Sequence, residues 1–227
     1  MKYTLITGAS SGIGKALCYQ FASRGYNLII TARREEELQK LRQDIESQYA
    51  VHVIVKPCDL AQEGQAESLY HRLADFDIAV LINNAGFGDF SMPWDADLAK
   101  VKRMLDLNVK ALTTLSLLYT HDYADRDATL INVSSIGGYS IFDIAVTYCA
   151  TKFFVASFTE GLAQNLRDQG KKCGQKLSPR DQHRVNLSPV PQTREASVVT
   201  ACLQRRLFLL LKNWRITSGN CLKATVP

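Results

Sequence analysis

Tyr148 and Lys152 stand four residues apart in the run Tyr-Cys-Ala-Thr-Lys. On a helix this spacing puts a phenol and an ammonium on one face. A tyrosine hydroxyl is poorly matched to proton transfer at neutral pH, because its unperturbed pKa is about 10. A neighbouring ammonium stabilises the phenolate and brings that pKa down. The pair therefore has the composition of a proton donor and its electrostatic partner. A lone tyrosine at such a position also reads as core, so further residues have to support it.

A second chemical signal lies at the start of the chain, in Thr7-Gly8-Ala9-Ser10-Ser11-Gly12-Ile13-Gly14. Glycines at a strand-to-helix junction let the backbone approach a pyrophosphate, and the helix N-terminus offers unpaired N–H groups. Gly8, Ser10, Ser11, Gly12, Ile13 and Gly14 are the expected cradle. The other reading is a plain tight turn with helix-packing glycines. The second strand ends Thr31-Ala32-Arg33-Arg34, with no acid to take the ribose 2′-hydroxyl of NAD(H). Arginine pairs bidentately with a 2′-phosphate, so Arg33 points to NADP(H). Alternatively both arginines open the next helix and pair with Glu35, Glu36 and Glu37.

The elements that must position these residues alternate along the chain. Strand patterns fall at 3–7, 27–31, 51–55, 78–82 and 129–133, and helical patterns at 34–49, 62–74, 97–120 and 147–169. Ile13, Leu17 and Phe21 form one apolar stripe of a first helix, which Gly25 closes. Strands that are apolar throughout, each followed by a helix, imply a parallel sheet covered on both faces. Right-handed crossovers make this an α/β, three-layer α/β/α, doubly wound (Rossmann-like) fold with strand order 3-2-1-4-5.

Bulk composition narrows the class. The 227 residues, 46% hydrophobic and 22% charged, suit one α/β domain. Six cysteines show neither a CxxC pair nor metal-ligand spacing with His, so no metal is expected and a reducing, cytoplasmic setting is. No signal peptide or membrane span is read, and the basic residues lack the aromatic interleaving of a nucleic-acid binder.

Further signals follow in chain order: Asn83-Asn84-Ala85-Gly86 after the fourth strand, Asn108 midway along a long helix, and Asn132-Val133-Ser134-Ser135 at the end of the fifth strand. With TGxxxGxG and YxxxK, this order resembles the short-chain dehydrogenase/reductase family over residues 3 to about 170. Ser135 precedes Tyr148 by 13 residues, the spacing of that family. The resemblance implies an oxidoreductase that moves a hydride between NADP(H) and a small-molecule carbonyl or alcohol. It implies Asn108, Ser135, Tyr148 and Lys152 as catalytic residues. Ser135 polarises the carbonyl, Lys152 also holds the nicotinamide ribose, and Asn108 holds a water behind the lysine. It implies cofactor contacts at Asp59, facing the adenine, and at Leu60, Asn84, Ala85 and Gly86. A homodimer or homotetramer through helices 97–120 and 147–169 is implied as well.

The resemblance stops near residue 170. Residues 1–170 carry 16 Lys/Arg against 20 Asp/Glu, and residues 171–227 carry 11 against 2. In the family a sixth strand ending in Pro-Gly follows; here Arg180 follows Pro179, and Ser188-Pro189 lies too late. One short basic helix at 203–211 is expected, and nothing beyond it reads as a seventh strand. The domain reading is therefore a cofactor-binding unit, 1–170, and a divergent basic tail, 171–227, that is a shifted reading frame or a genuine extension. A one-base change near codon 171 that restores a Pro-Gly strand tests the shift. The competing function is a catalytically impaired nucleotide-binding remnant of the same family.

Overall fold

The computed structural model describes residues 1–174 together with the backbone of two later strands. Five parallel strands form the sheet: β1 Lys2–Thr7, β2 Asn27–Thr31, β3 Val53–Val55, β4 Asp77–Asn83 and β5 Thr129–Asn132, in the order β3-β2-β1-β4-β5. The expected doubly wound topology is the observed one. Period-two alternation sends neighbouring side chains to opposite layers. Ile6, Leu28, Ile30 and Ile82 pack under α1 (Gly12–Ala22) and α2 (Glu35–Gln48), beside Leu17, Leu38 and Leu41. Leu5, Ile29 and Leu81 face the other way, toward α3 (Gln65–His71) and α5 (Leu112–Tyr123), beside Leu69, Leu115 and Tyr119. Each fully buried aliphatic side chain stabilises this arrangement by roughly 1.5–3 kcal/mol.

Local rules set the helix ends. After α1, Gly25 has φ +80° and Tyr26 N–H donates to Phe21 O at 3.1 Å, while Gly25 N–H donates to Ala22 O at 2.9 Å. This is the Schellman closure expected of Gly25, and the Phe21 and Tyr26 rings meet edge-on at 5.3 Å across it.

Two expectations are corrected. The helix read at 97–120 is not uniformly α-helical: α4 (Leu98–Leu105) passes through a π-helical segment, Asp106–Ala111, into α5. The π segment contains Asn108, whose side chain is tied to backbone outside the helix, a local irregularity that periodicity does not register. In the tail, β6 (Trp214–Thr217) and β7 (Cys221–Ala224) pair antiparallel with each other as a separate two-stranded sheet. Strand material was not expected there. Its cue is the turn-prone Ser218-Gly219-Asn220 between two short runs with β-formers such as Trp214, Ile216 and Thr217. Among the described residues no sixth strand extends the parallel sheet. The Pro179 and Pro189 segments and the helix read at 203–211 lie outside the described residues.

Candidate active site

The carboxyl ends of the parallel strands open onto a cleft of about 380 Å³. Gly8, Ser10, Ser11, Gly12, Ile13, Arg33, Asp59, Leu60, Asn84, Ala85, Gly86, Tyr148 and Lys152 all line it. The topology thus gathers onto one surface residues that the sequence scatters across 145 positions. Gly14, Asn108 and Ser135 stand behind or beside the cleft wall.

The glycine turn has three distinct positions. Gly8 has φ +68°, and a Cβ there would lie 2.8 Å from Ala85 Cα. Gly14 allows α1 to pack on the turn, since a Cβ would lie 2.2 Å from Gly8 O. Gly12 has φ +55° with nothing within 4 Å of a built Cβ, so it borders open cleft. Ser11, the N-cap of α1, makes no side-chain capping bond, and its hydroxyl therefore does not occupy the first-turn N–H groups. An open glycine edge over an uncapped helix N-terminus fits a pyrophosphate.

Thr7 fastens this turn to the Asn83–Gly86 segment. Its hydroxyl accepts from Asn84 N and Ala85 N, both at 2.9 Å, and donates to Ile82 O at 3.3 Å. The Asn84 amide donates to Thr7 O at 2.9 Å. Sequence reasoning assigned Thr7 no role, although it stands at the strand end just before Gly8. On the far wall Arg34 donates to Ser10 Oγ at 3.1 Å, which leaves the exposed Arg33 as the guanidinium at the cleft mouth without a hydrogen bond among the described residues. Asp59 Oδ2 pairs with Arg103 at 2.6 Å and Oδ1 accepts from Ala61 N at 3.2 Å. Arg103, 44 residues away, carried no signal in the sequence.

At the other end of the cleft, α6 (Val146–Asp168) presents Tyr148 and, one turn later, Lys152. The Lys152 ammonium lies 5.9 Å from the Tyr148 ring centroid and donates to Val133 O at 2.9 Å. Burial brings the Lys152 pKa down from the ordinary 10.5 to about 8. Ser135 accepts at Oγ from Gly137 N at 3.2 Å, so its own O–H remains available to donate. Gly137 lies beside the tyrosine: a Cβ there would sit in ordinary contact 3.4 Å from Tyr148 Cε1 and more tightly, 3.3 Å, against Cys149 Sγ. Ser134 is structural, donating to Lys152 O at 3.0 Å. Gly138 must lack a side chain, since a Cβ would lie 2.7 Å from Lys152 O. These glycines were missed as site residues; the Ile-Gly-Gly run after Ser135 was their signal.

Asn108 is 1% exposed. Its amide donates to Phe87 O at 2.9 Å and to Thr151 Oγ1 at 3.2 Å, and its Oδ1 accepts from Phe87 N at 3.2 Å. It joins the π segment to the loop after β4 and to the helix turn carrying Tyr148. Behind it, Asn83 donates to Asn132 Oδ1 at 2.9 Å and Asn132 donates to Thr159 Oγ1 at 3.1 Å. This buried chain ties β4, β5 and α6 together.

The depressed Lys152 pKa gives a pH prediction. In the unliganded protein the ammonium is present below about pH 8 and is lost above it. A ligand hydroxyl that accepted from the ammonium would raise that pKa in its complex, so the affinity for such a ligand should fall as pH rises above 8. Folding stability should move oppositely. Between pH 8 and 10.5 the folded state binds fewer protons than the unfolded, so burial of Lys152 becomes less unfavourable as pH rises. Fluorescence titration of a reduced nicotinamide cofactor, NADH or NADPH, from pH 7 to 9.5 checks this; a flat affinity refutes it.

Among the described residues no helix is long and apolar enough to cross a membrane, and no group of three or more His, Cys, Asp or Glu could hold a metal ion. The family model described as short chain dehydrogenase matches residues 2–173. Sulfoacetaldehyde reductase 2 of Chromohalobacter salexigens is 35% identical over 73% of this chain and 67% of its own length. The 7beta-hydroxysteroid dehydrogenase of Collinsella aerofaciens is 32% identical over 74% of this chain and 65% of its own. The chain spans 56–67% of the length of several curated relatives it matches. Two solved structures superpose with TM-scores of 0.72. A short-chain dehydrogenase from Sphingobium yanoikuyae in complex with NADPH is 30% identical, covering 78% of this chain and 70% of that one. One from Burkholderia phymatum in complex with NAD is 25% identical, covering 78% and 64%. With the family model over three quarters of its length, and a glycine turn and a Tyr-Lys helix meeting in one cleft, this chain belongs to the short-chain dehydrogenase family.

Proposed function

We propose that the chain is an NADP(H)-dependent oxidoreductase acting on a carbonyl/alcohol pair. The observation that carries this is the convergence of Tyr148, Lys152 and the glycine cradle on a single cleft. The names of the relatives span sulfoacetaldehyde and hydroxysteroids, which have a carbonyl or alcohol group in common. A reduced nicotinamide cofactor, which the glycine turn and Lys152 would hold, would supply the hydride for the carbonyl carbon. Ser135 donates its O–H to the carbonyl oxygen and polarises the bond. As negative charge develops on that oxygen, Tyr148 gives up its proton to it, and the alcohol results. Lys152 holds the ribose and stabilises the phenolate left behind, a stabilisation strengthened by burial. Asn108 acts through position, keeping the Phe87 loop and the first turn of α6 in register.

NADP(H) preference rests on Arg33 at the cleft mouth with no acid at the end of β2. Arg33→Ala should weaken NADPH binding by about 1.5–3 kcal/mol, or about 10- to 150-fold, and leave NADH nearly unchanged. Equal affinity of the unmodified chain for both cofactors refutes the preference. NADPH consumption across a panel of carbonyl compounds tests the activity itself; binding without turnover would instead identify an impaired nucleotide-binding remnant. We also propose pairing of two copies through α4–α5 and α6, where Leu105, Leu117, Phe153 and Phe154 are exposed. Sedimentation of a folded monomer at all concentrations would refute it.

A further inference from the structure

We infer that the carbonyl substrate beside Tyr148 is bulky, apolar and uncharged. The inference rests on the reductase reading above and names its substrate class. Two segments carry it: residues 85–97, between β4 and α4, and residues 134–151, from the end of β5 into α6. Together they contain four aspartates, Asp89, Asp95, Asp97 and Asp143, and no lysine, arginine or histidine.

Three of those aspartates are committed locally. Asp89 pairs with Lys100, Asp97 accepts from Ala99 N at 2.9 Å as the cap of α4, and Asp143 accepts from Ile144 N at 2.8 Å. Among the described residues, Lys100 pairs with Asp89 and the buried Lys152 donates to Val133 O. An anionic substrate would therefore meet carboxylates and no available positive charge from either segment, an arrangement that disfavours it.

The same segments expose apolar surface next to the tyrosine. The Phe90 ring centroid lies 5.8 Å from that of Tyr148, and Phe90 is 66% exposed. Gly88 makes room for this contact, since a Cβ there would lie 2.9 Å from the Phe90 ring and 3.3 Å from Tyr148 Cδ2. On the opposite segment, the 3₁₀ turn Ile136–Gly138 lies beside the Tyr148 ring, with the Cβ position of Gly137 3.4 Å from Tyr148 Cε1. Phe142 N–H donates to Cys149 Sγ at 3.4 Å, which holds the turn carrying Ile141 and Ile144 against the start of α6. Ile136, Ile141, Phe142 and Ile144 are all exposed. Single exposed apolar residues are ordinary, but two uncharged-to-acidic segments that flank one phenol with exposed rings and isoleucines mark an apolar binding surface.

Calorimetric titration of a matched pair into the full chain loaded with NADP⁺ tests this: 4-phenylcyclohexanone, and 4-(4-oxocyclohexyl)benzoate, which adds only a carboxylate. The neutral ketone should bind at least about tenfold more tightly, the equivalent of about 1.4 kcal/mol. Ile141→Lys should narrow that preference by about fivefold, the size of one exposed ion pair. Ile141 is 73% exposed, so this change does not threaten the fold. Equal or tighter binding of the benzoate, or binding of NADP⁺ but of neither ketone, overturns the inference. Turnover with NADPH reports on the reductase reading separately. A neutral ketone that binds without being reduced refutes that reading and leaves the apolar site standing. A benzoate reduced more efficiently than the neutral ketone supports the reading and overturns the substrate class.

Discussion

Tyr148→Phe is expected to lower turnover by about 10²- to 10⁴-fold, the range of a lost general acid, with NADPH affinity unchanged within about twofold. The substitution keeps the ring, its contact with Phe90 and the approach of Gly137. The Tyr148 hydroxyl has no hydrogen-bond partner among the described residues, so stability should hold. Only the transferable proton is removed. Lys152 stays tied to Val133 O and, on the proposed reading, would still hold the ribose, so binding should persist. Stopped-flow or steady-state NADPH oxidation with any accepted ketone, paired with a fluorescence titration of NADPH, separates the two quantities. Robust reduction that survives the substitution would falsify the assignment of Tyr148 as proton donor.

Gly14→Ala is expected to destabilise the protein by about 3 kcal/mol or more, at the upper end of overpacking effects. The new Cβ would lie 2.2 Å from Gly8 O and 2.5 Å from Asn84 Nδ2, neither of which is the far end of a flexible side chain free to swing away. Relief requires moving α1 off the glycine turn or breaking the bond from Asn84 to Thr7 O. The better helix propensity of alanine, about 1 kcal/mol, does not offset that. At about 2–4 °C per kcal/mol, Tm should fall by roughly 6–12 °C. Gly12→Ala is the control. Its Cβ meets nothing within 4 Å and its positive φ is the main penalty, roughly 1–2 kcal/mol. Gly12→Ala should therefore lose clearly less stability than Gly14→Ala, with or without cofactor. Thermal melts of both variants that coincide with the unmodified chain would remove the packing argument.

Strand order, layer assignment and the Tyr148–Lys152 pair were all legible from the sequence. The strands were legible as short apolar runs, the helices by a period of about 3.6, the pair by its i, i+4 spacing, and the strand order by the right-handed sense of the crossovers. The glycine turn was legible because positive φ and close backbone approach leave few other residues that fit. The sequence also displayed the absence of basic residues from 85–97 and 134–151, though nothing in it placed those segments on either side of one phenol. The tertiary structure alone decided that Thr7 binds Asn84 and Ala85, 77 and 78 positions away. It alone put Arg103 on Asp59, Asn108 on the Phe87 backbone within a π-helical segment, and Lys152 deep enough for its pKa to fall. The reason is physical: spacing fixes neighbours along one element, whereas hydrogen bonds, ion pairs and desolvation between distant segments depend on how helices pack over the ends of the strands.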